Sequence, residues 1–94
     1  MNKHLDGISL RAYILQVEQQ FKQANLHYGH GTTEPLDEAA WLIGSALGIE
    51  SEQLDNSLEK VLTNSEIKRL DRLVTERIDT HKPVAYLLNE AWFA

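Results

Sequence analysis

The sequence predicts an all-α fold, a small bundle of four helices plus a short fifth that ends in an interdomain linker. Three observations lead there. Apolar residues recur at three- and four-residue steps in three separate windows, 10–24, 39–47 and 67–78. Loop and stop signals divide those windows, at residues 25–33, at Gly48 and at His81-Lys82-Pro83. Thr63-Asn64-Ser65-Glu66 has the spacing of a capping box, which announces a helix start.

The first helix is expected over about 9–24. Leu10, Tyr13, Ile14, Val17, Phe21 and Ala24 make one apolar stripe, while Arg11, Gln16, Gln19, Gln20 and Gln23 face water. Ser9 is suited to cap it. Residues 25–33 read as a loop, because Asn25, Gly29 and Gly31 tolerate left-handed backbone. The second helix opens near Pro35, whose missing N–H has no partner in a first turn anyway. Glu34, Asp37 and Glu38 lie where the positive end of the helix dipole favours carboxylates. Its inner face is Ala39, Leu42, Ile43, Ala46 and Leu47, and Gly48 is the expected C-terminal stop. Its inner turns are nearly apolar, so this helix should be central.

Ser51 is expected to cap a short third helix bearing Leu54 and Leu58. The fourth follows the capping box with Ile67, Leu70, Leu73, Val74 and Ile78 inward, and stops before Pro83 because the residue preceding proline avoids the helical region. Pro83 then opens a single turn through Leu88, with Asn89 as the bend out.

At 94 residues there is one small domain, which hides roughly 60–65% of its unfolded surface. The apolar share of 43% suits a globular chain. The absence of cysteine excludes disulfides and thiolate metal sites. The longest nearly apolar stretch, 39–49, falls well short of the ~20 residues that cross a bilayer. Lys3, His4 and Asp6 occupy the N-terminus with no apolar h-region, so no signal peptide is expected and the default location is cytoplasmic.

The net charge of −5 is unevenly spread. Residues 34–59 hold seven carboxylates and no Lys or Arg, whereas residues 60–82 hold six basic side chains against four acidic ones. An acidic surface repels phosphate, which argues against direct nucleic-acid binding, and attracts a basic protein. The same charges serve equally as a solvated face, and the residues leave both readings open.

Chemistry-bearing constellations are sparse. Of the four histidines, only His27 and His30 are close in sequence, and no zinc-ligand spacing occurs. His30 is expected to hydrogen-bond backbone and steady its glycine-flanked loop. Gly29-His30-Gly31-Thr32 lacks the frame of a phosphate loop, and no Gly-x-Ser-x-Gly elbow occurs. No catalytic, cofactor-binding or metal-binding residue is therefore expected. Trp41 lies beside the inner face of the second helix and should be core or partly covered, with anchoring of a partner as the second reading.

The tail holds the densest information. Lys82-Pro83-Val84-Ala85-Tyr86-Leu87-Leu88 runs into Asn89-Glu90-Ala91-Trp92-Phe93-Ala94. An exposed Trp-Phe pair is unfavourable at roughly 25 cal/mol per Å² of apolar surface, so the chain is expected to be cut at a domain boundary. This tail resembles the junction of the protein-glutamine methyltransferases once called HemK. Tyr28-Gly29-His30-Gly31-Thr32, with Pro35 and Asp37-Glu38-Ala39, is most similar to the branch acting on large-subunit ribosomal protein L-three.

The resemblance implies that residues 1–88 form a helical substrate-recognition domain. Residues 89–94 would begin the linker to a Rossmann-like catalytic domain that binds S-adenosylmethionine. That domain's glycine-rich donor loop and Asn-Pro-Pro-Tyr motif do not occur here, so this piece is not expected to be catalytic by itself. The implied partners are a basic ribosomal protein and the chain's own catalytic domain, with neither membrane nor direct nucleic acid. Tyr28, His30, Thr32, Asp37, Glu38 and Trp41 are the candidate partner-binding residues; Tyr86, Trp92 and Phe93 are the candidates for interdomain packing. Two alternatives stand beside this: the same domain of a peptide-chain release factor methyltransferase, and a freestanding helical adaptor.

Overall fold

The computed structural model describes residues 7–24 and 34–93, with side chains as far as Asn89. The elements in chain order are β1 (Ile8–Ser9), α1 (Leu10–Ala24), α2 (Pro35–Ala46), α3 (Ser51–Leu54), a 3-10 turn (Asp55–Ser57), β2 (Val61–Leu62), α4 (Asn64–Thr80) and α5 (Val84–Phe93). This is the expected all-α domain, with one small addition.

Helix α1 buries Leu10, Tyr13, Ile14, Val17 and Phe21, which is the stripe its periodicity set out. Ser9 caps it, its hydroxyl accepting from the Ala12 amide at 3.1 Å. The first-turn amides of Leu10 and Arg11, which have no partner inside the helix, donate to the carbonyls of Lys60 and Leu58. These bonds continue the two-residue antiparallel pairing of β1 with β2, in which Ile8 faces Leu62 and Ser9 faces Val61. The pairing was not legible, because two residues are too few to show alternation. Gly7 is required beside it: its φ is +80°, and an added Cβ would lie 2.6 Å from Val61 Cγ1.

Helix α2 starts at Pro35 and ends in a Schellman turn. Gly48, at φ +75°, donates to the Ser45 carbonyl, and Ile49 donates to that of Gly44. In α3, Glu50 occupies the cap position and Ser51 is already helical, one residue away from expectation. Its Leu54, with Leu58 beyond, packs partly buried against the core.

The capping box of α4 is complete. The Glu66 amide donates to Thr63 Oγ1 at 3.1 Å, and the Thr63 amide donates to Glu66 Oε1 at 2.8 Å. That backbone donor, aided by Lys60, holds the Glu66 carboxyl below the usual carboxylate range. Thr63→Ala is expected to cost about 1 kcal/mol, read from urea midpoints at neutral pH. His81 ends the helix in left-handed backbone at φ 60°, its amide bonded to the Arg77 carbonyl.

Helix α5 differs from the single turn expected, for it continues through Asn89 to Phe93. Asn is only a mildly poor helix former, and no Gly or Pro follows Pro83 to break the chain. Val84, Leu87 and Leu88 seal it against α2 and α4, while α1 lies along α2.

A partly buried polar contact joins α1 to α4: the buried Tyr13 hydroxyl donates to Oδ1 of the exposed Asp71 at 2.5 Å. Burial foremost, and then the Asp71 carboxylate, push the phenol well above its ordinary value near 10. The folded tyrosine keeps a proton that the unfolded chain releases, so this stability is complete below about pH 10 and is lost as pH climbs further. Urea midpoints compared between about pH 9 and pH 11 should fall in the parent and fall less in Tyr13→Phe.

Candidate functional site

Helix α2 positions three of the candidate partner-binding residues, Asp37, Glu38 and Trp41, and it sorts them to opposite sides. Glu38, Ala39, Leu42 and Ile43 turn inward and are buried. Leu36, Asp37 and Trp41 turn outward, with Trp41 43% exposed. Asp37 and Trp41 are four residues apart and therefore neighbours on one face, a carboxylate beside an indole. Trp41 is thus half-covered rather than core.

Glu38 is a correction. It is 2% exposed, and Arg77 of α4, 1% exposed, donates to both its carboxylate oxygens, from Nε at 3.0 Å and Nη2 at 3.2 Å. A carboxylate so enclosed is not available to a docking partner. The signal was present in the phase of the sequence. Glu38 precedes Leu42 by four residues and Arg77 follows Leu73 by four, so each charge falls on an apolar stripe. An acid and a base, each on an inward face, are a pair in waiting, since buried charges are found paired.

Tyr28, His30 and Thr32 lie outside the described residues. Of the interdomain candidates, Tyr86 is 50% exposed on α5, with Lys82 Nζ 4.9 Å from its ring centroid. Trp92 and Phe93 belong to the last turn of α5. Among the described residues no group of three or more His, Asp or Glu could hold a metal ion, and no helix is long and apolar enough to cross a membrane.

The acidic segment is largely at the surface. Glu34, Asp37, Glu50, Glu52, Asp55 and Glu59 are exposed, and Glu59 also makes a surface ion pair with Arg11 at 2.9 Å. The outer side of α2 therefore offers an aromatic and an aliphatic group within an acidic stretch. A half-exposed indole among carboxylates is complementary in charge and apolar character to a basic protein surface.

Comparison with known proteins agrees with the resemblance to the protein-glutamine methyltransferases. The family model described as the PrmC N-terminal domain matches residues 13–88. A ribosomal protein uL3 glutamine methyltransferase of Bradyrhizobium diazoefficiens is 35% identical over 85 residues, covering 90% of this chain and 27% of that protein. Proteins of the same description from Neisseria meningitidis serogroups A and B are 36% identical over 73 residues, covering 78% of this chain and 24% of theirs. The chain thus spans about a quarter of the length of these relatives. No solved structure matches it. With a family model covering most of the bundle and relatives above a third identity, the chain belongs to the PrmC N-terminal domain family.

Proposed function

We propose that this chain is the substrate-recognition domain of an S-adenosylmethionine-dependent protein methyltransferase whose client is ribosomal protein uL3. The observation that supports it most is that three relatives named uL3 glutamine methyltransferases match 78–90% of this chain but only about a quarter of their own length. In the whole enzyme a second domain would bind S-adenosylmethionine and transfer its methyl group to a glutamine side-chain amide. An amide nitrogen is a weak nucleophile, so its reaction depends on being held and polarised in place.

The helical domain would supply the holding. Its outer α2 face, with Asp37 and Trp41, docks the basic client and raises the local concentration of one glutamine beside the catalytic domain. Residues 1–88 would form this unit and 89–94 begin the connection, with Tyr86, Trp92 and Phe93 packing across the junction. The setting would be the cytoplasm, where ribosomal proteins are made.

Titration calorimetry of the chain against purified uL3 and against a release factor tests this reading. Binding of uL3 that weakens as salt rises is expected, since exposed charge pairs are screened beyond about 10 Å at 0.1 M. Binding of release factor with none of uL3 would move the chain to the other branch, and binding of neither would remove the docking role.

A further inference from the structure

Helices α2 and α4 share neighbours in α1 and α5, yet their own backbones come close at few points. Two arginine side chains of α4 span the gap. Arg77 grips the Glu38 carboxylate near the start of α2 with two bonds. Arg69 donates from Nη2 to the carbonyl oxygen of Ala46, the last residue of α2.

The second grip has its own physical reason. The closing turn of α2 satisfies the carbonyls of Ile43, Gly44 and Ser45 through the amides of Leu47, Ile49 and Gly48. The Ala46 carbonyl comes next and takes its donor from outside the helix, and a cation there also complements the negative end of the helix dipole. The spacing is matched. Residues 38 and 46 are eight apart on α2, and 77 and 69 are eight apart on an antiparallel α4. At 1.5 Å per residue both spans are about 12 Å. The two arginines therefore hold α2 at its two ends at once, which restrains both its tilt and its rotation about its own axis.

We propose that Arg69 and Arg77 are positioning residues: a two-point strap that sets the rotation of α2 and so aims Asp37 and Trp41 outward. Neither touches the client. The functional half of this inference rests on the reading of the outer α2 face as the docking surface; the mechanical half does not.

Because the chain has no cysteine, nitroxide labels can be placed at Asp37→Cys on α2 and Arg72→Cys on α4 without other changes. Electron-electron distance measurements should give one narrow distribution in the labelled parent. It should broaden or shift in Arg69→Ala, and further when Glu38→Leu and Arg77→Met are added. Superimposable distributions would overturn the strap. If the triple variant does not fold, Arg69→Ala alone decides, since it removes only an exposed side chain.

With Asp37 and Trp41 unaltered, the unlabelled strap variants should bind uL3 about fivefold more weakly at unchanged helix content. Parent-like affinity, alongside weakened binding by Trp41→Ala, would overturn the positioning role. If Trp41→Ala were also silent, the docking face would be misassigned, and the distance measurement would still judge the strap.

Discussion

Arg77→Met alone is expected to destabilise the domain by about 3–5 kcal/mol, because it strands the buried Glu38 carboxylate without its guanidinium. That is a large part of the 5–15 kcal/mol that holds a typical domain together. For a domain of this size the melting temperature should drop by on the order of 20 °C. Glu38→Leu should be similarly severe, since it leaves a buried cation. The double change Glu38→Leu with Arg77→Met should recover most of the loss, because apolar groups of similar bulk replace a pair whose desolvation cost was high. Circular-dichroism melts of the two singles and the double give the coupling directly. A double variant as unstable as the sum of the singles would mean that the pair is not the origin of the effect.

The same pair shows where sequence reading stopped. The stripes of α1 and α4, the capping box and the stop at Gly48 were legible because each depends on residues within four positions of one another. Helix geometry brings those positions together whatever the remainder of the chain does. Taken alone, Glu38 fits a surface position, because an acid in a first turn satisfies the helix dipole. Its partner is 39 residues away; the inward phase of the two charges marks each as buried, while packing of α2 against the bundle is what brings them together. Tyr13 and Asp71 are the same case, 58 residues apart. The β1–β2 pairing is too short to show alternation, and Asn89 alone suggests a bend although its neighbours permit helix. The outward aim of Trp41 is a matter of a few tens of degrees around α2, finer than periodicity resolves.

Trp41→Ala should weaken binding of uL3 by about 2 kcal/mol or more, which is roughly thirtyfold in Kd. A half-exposed indole at the centre of an interface removes much apolar area from water when it is covered, and few side chains match it. Its contribution to folding should be small, since much of it already lies in solvent. Asp37→Lys should act mainly on the rate of association and on the salt dependence, because it reverses a charge at the rim. Leu15→Ala is the control: it shortens an apolar side chain of similar exposure, 48%, on α1. It should leave the affinity unchanged. Equal losses for Trp41 and Leu15 would indicate nonspecific apolar association rather than docking through α2.

The most direct measurement is a heteronuclear NMR titration of the labelled chain with uL3, followed at the indole N–H signals. The chain has two tryptophans, Trp41 and Trp92, so two such signals exist and a Trp92→Phe variant assigns them. Docking through the outer face of α2 requires the Trp41 indole to move on addition of uL3, together with the amides around Leu36 and Asp37, and to return as salt is raised. An unmoved Trp41 indole while amides of α1 or α4 shift would contradict it.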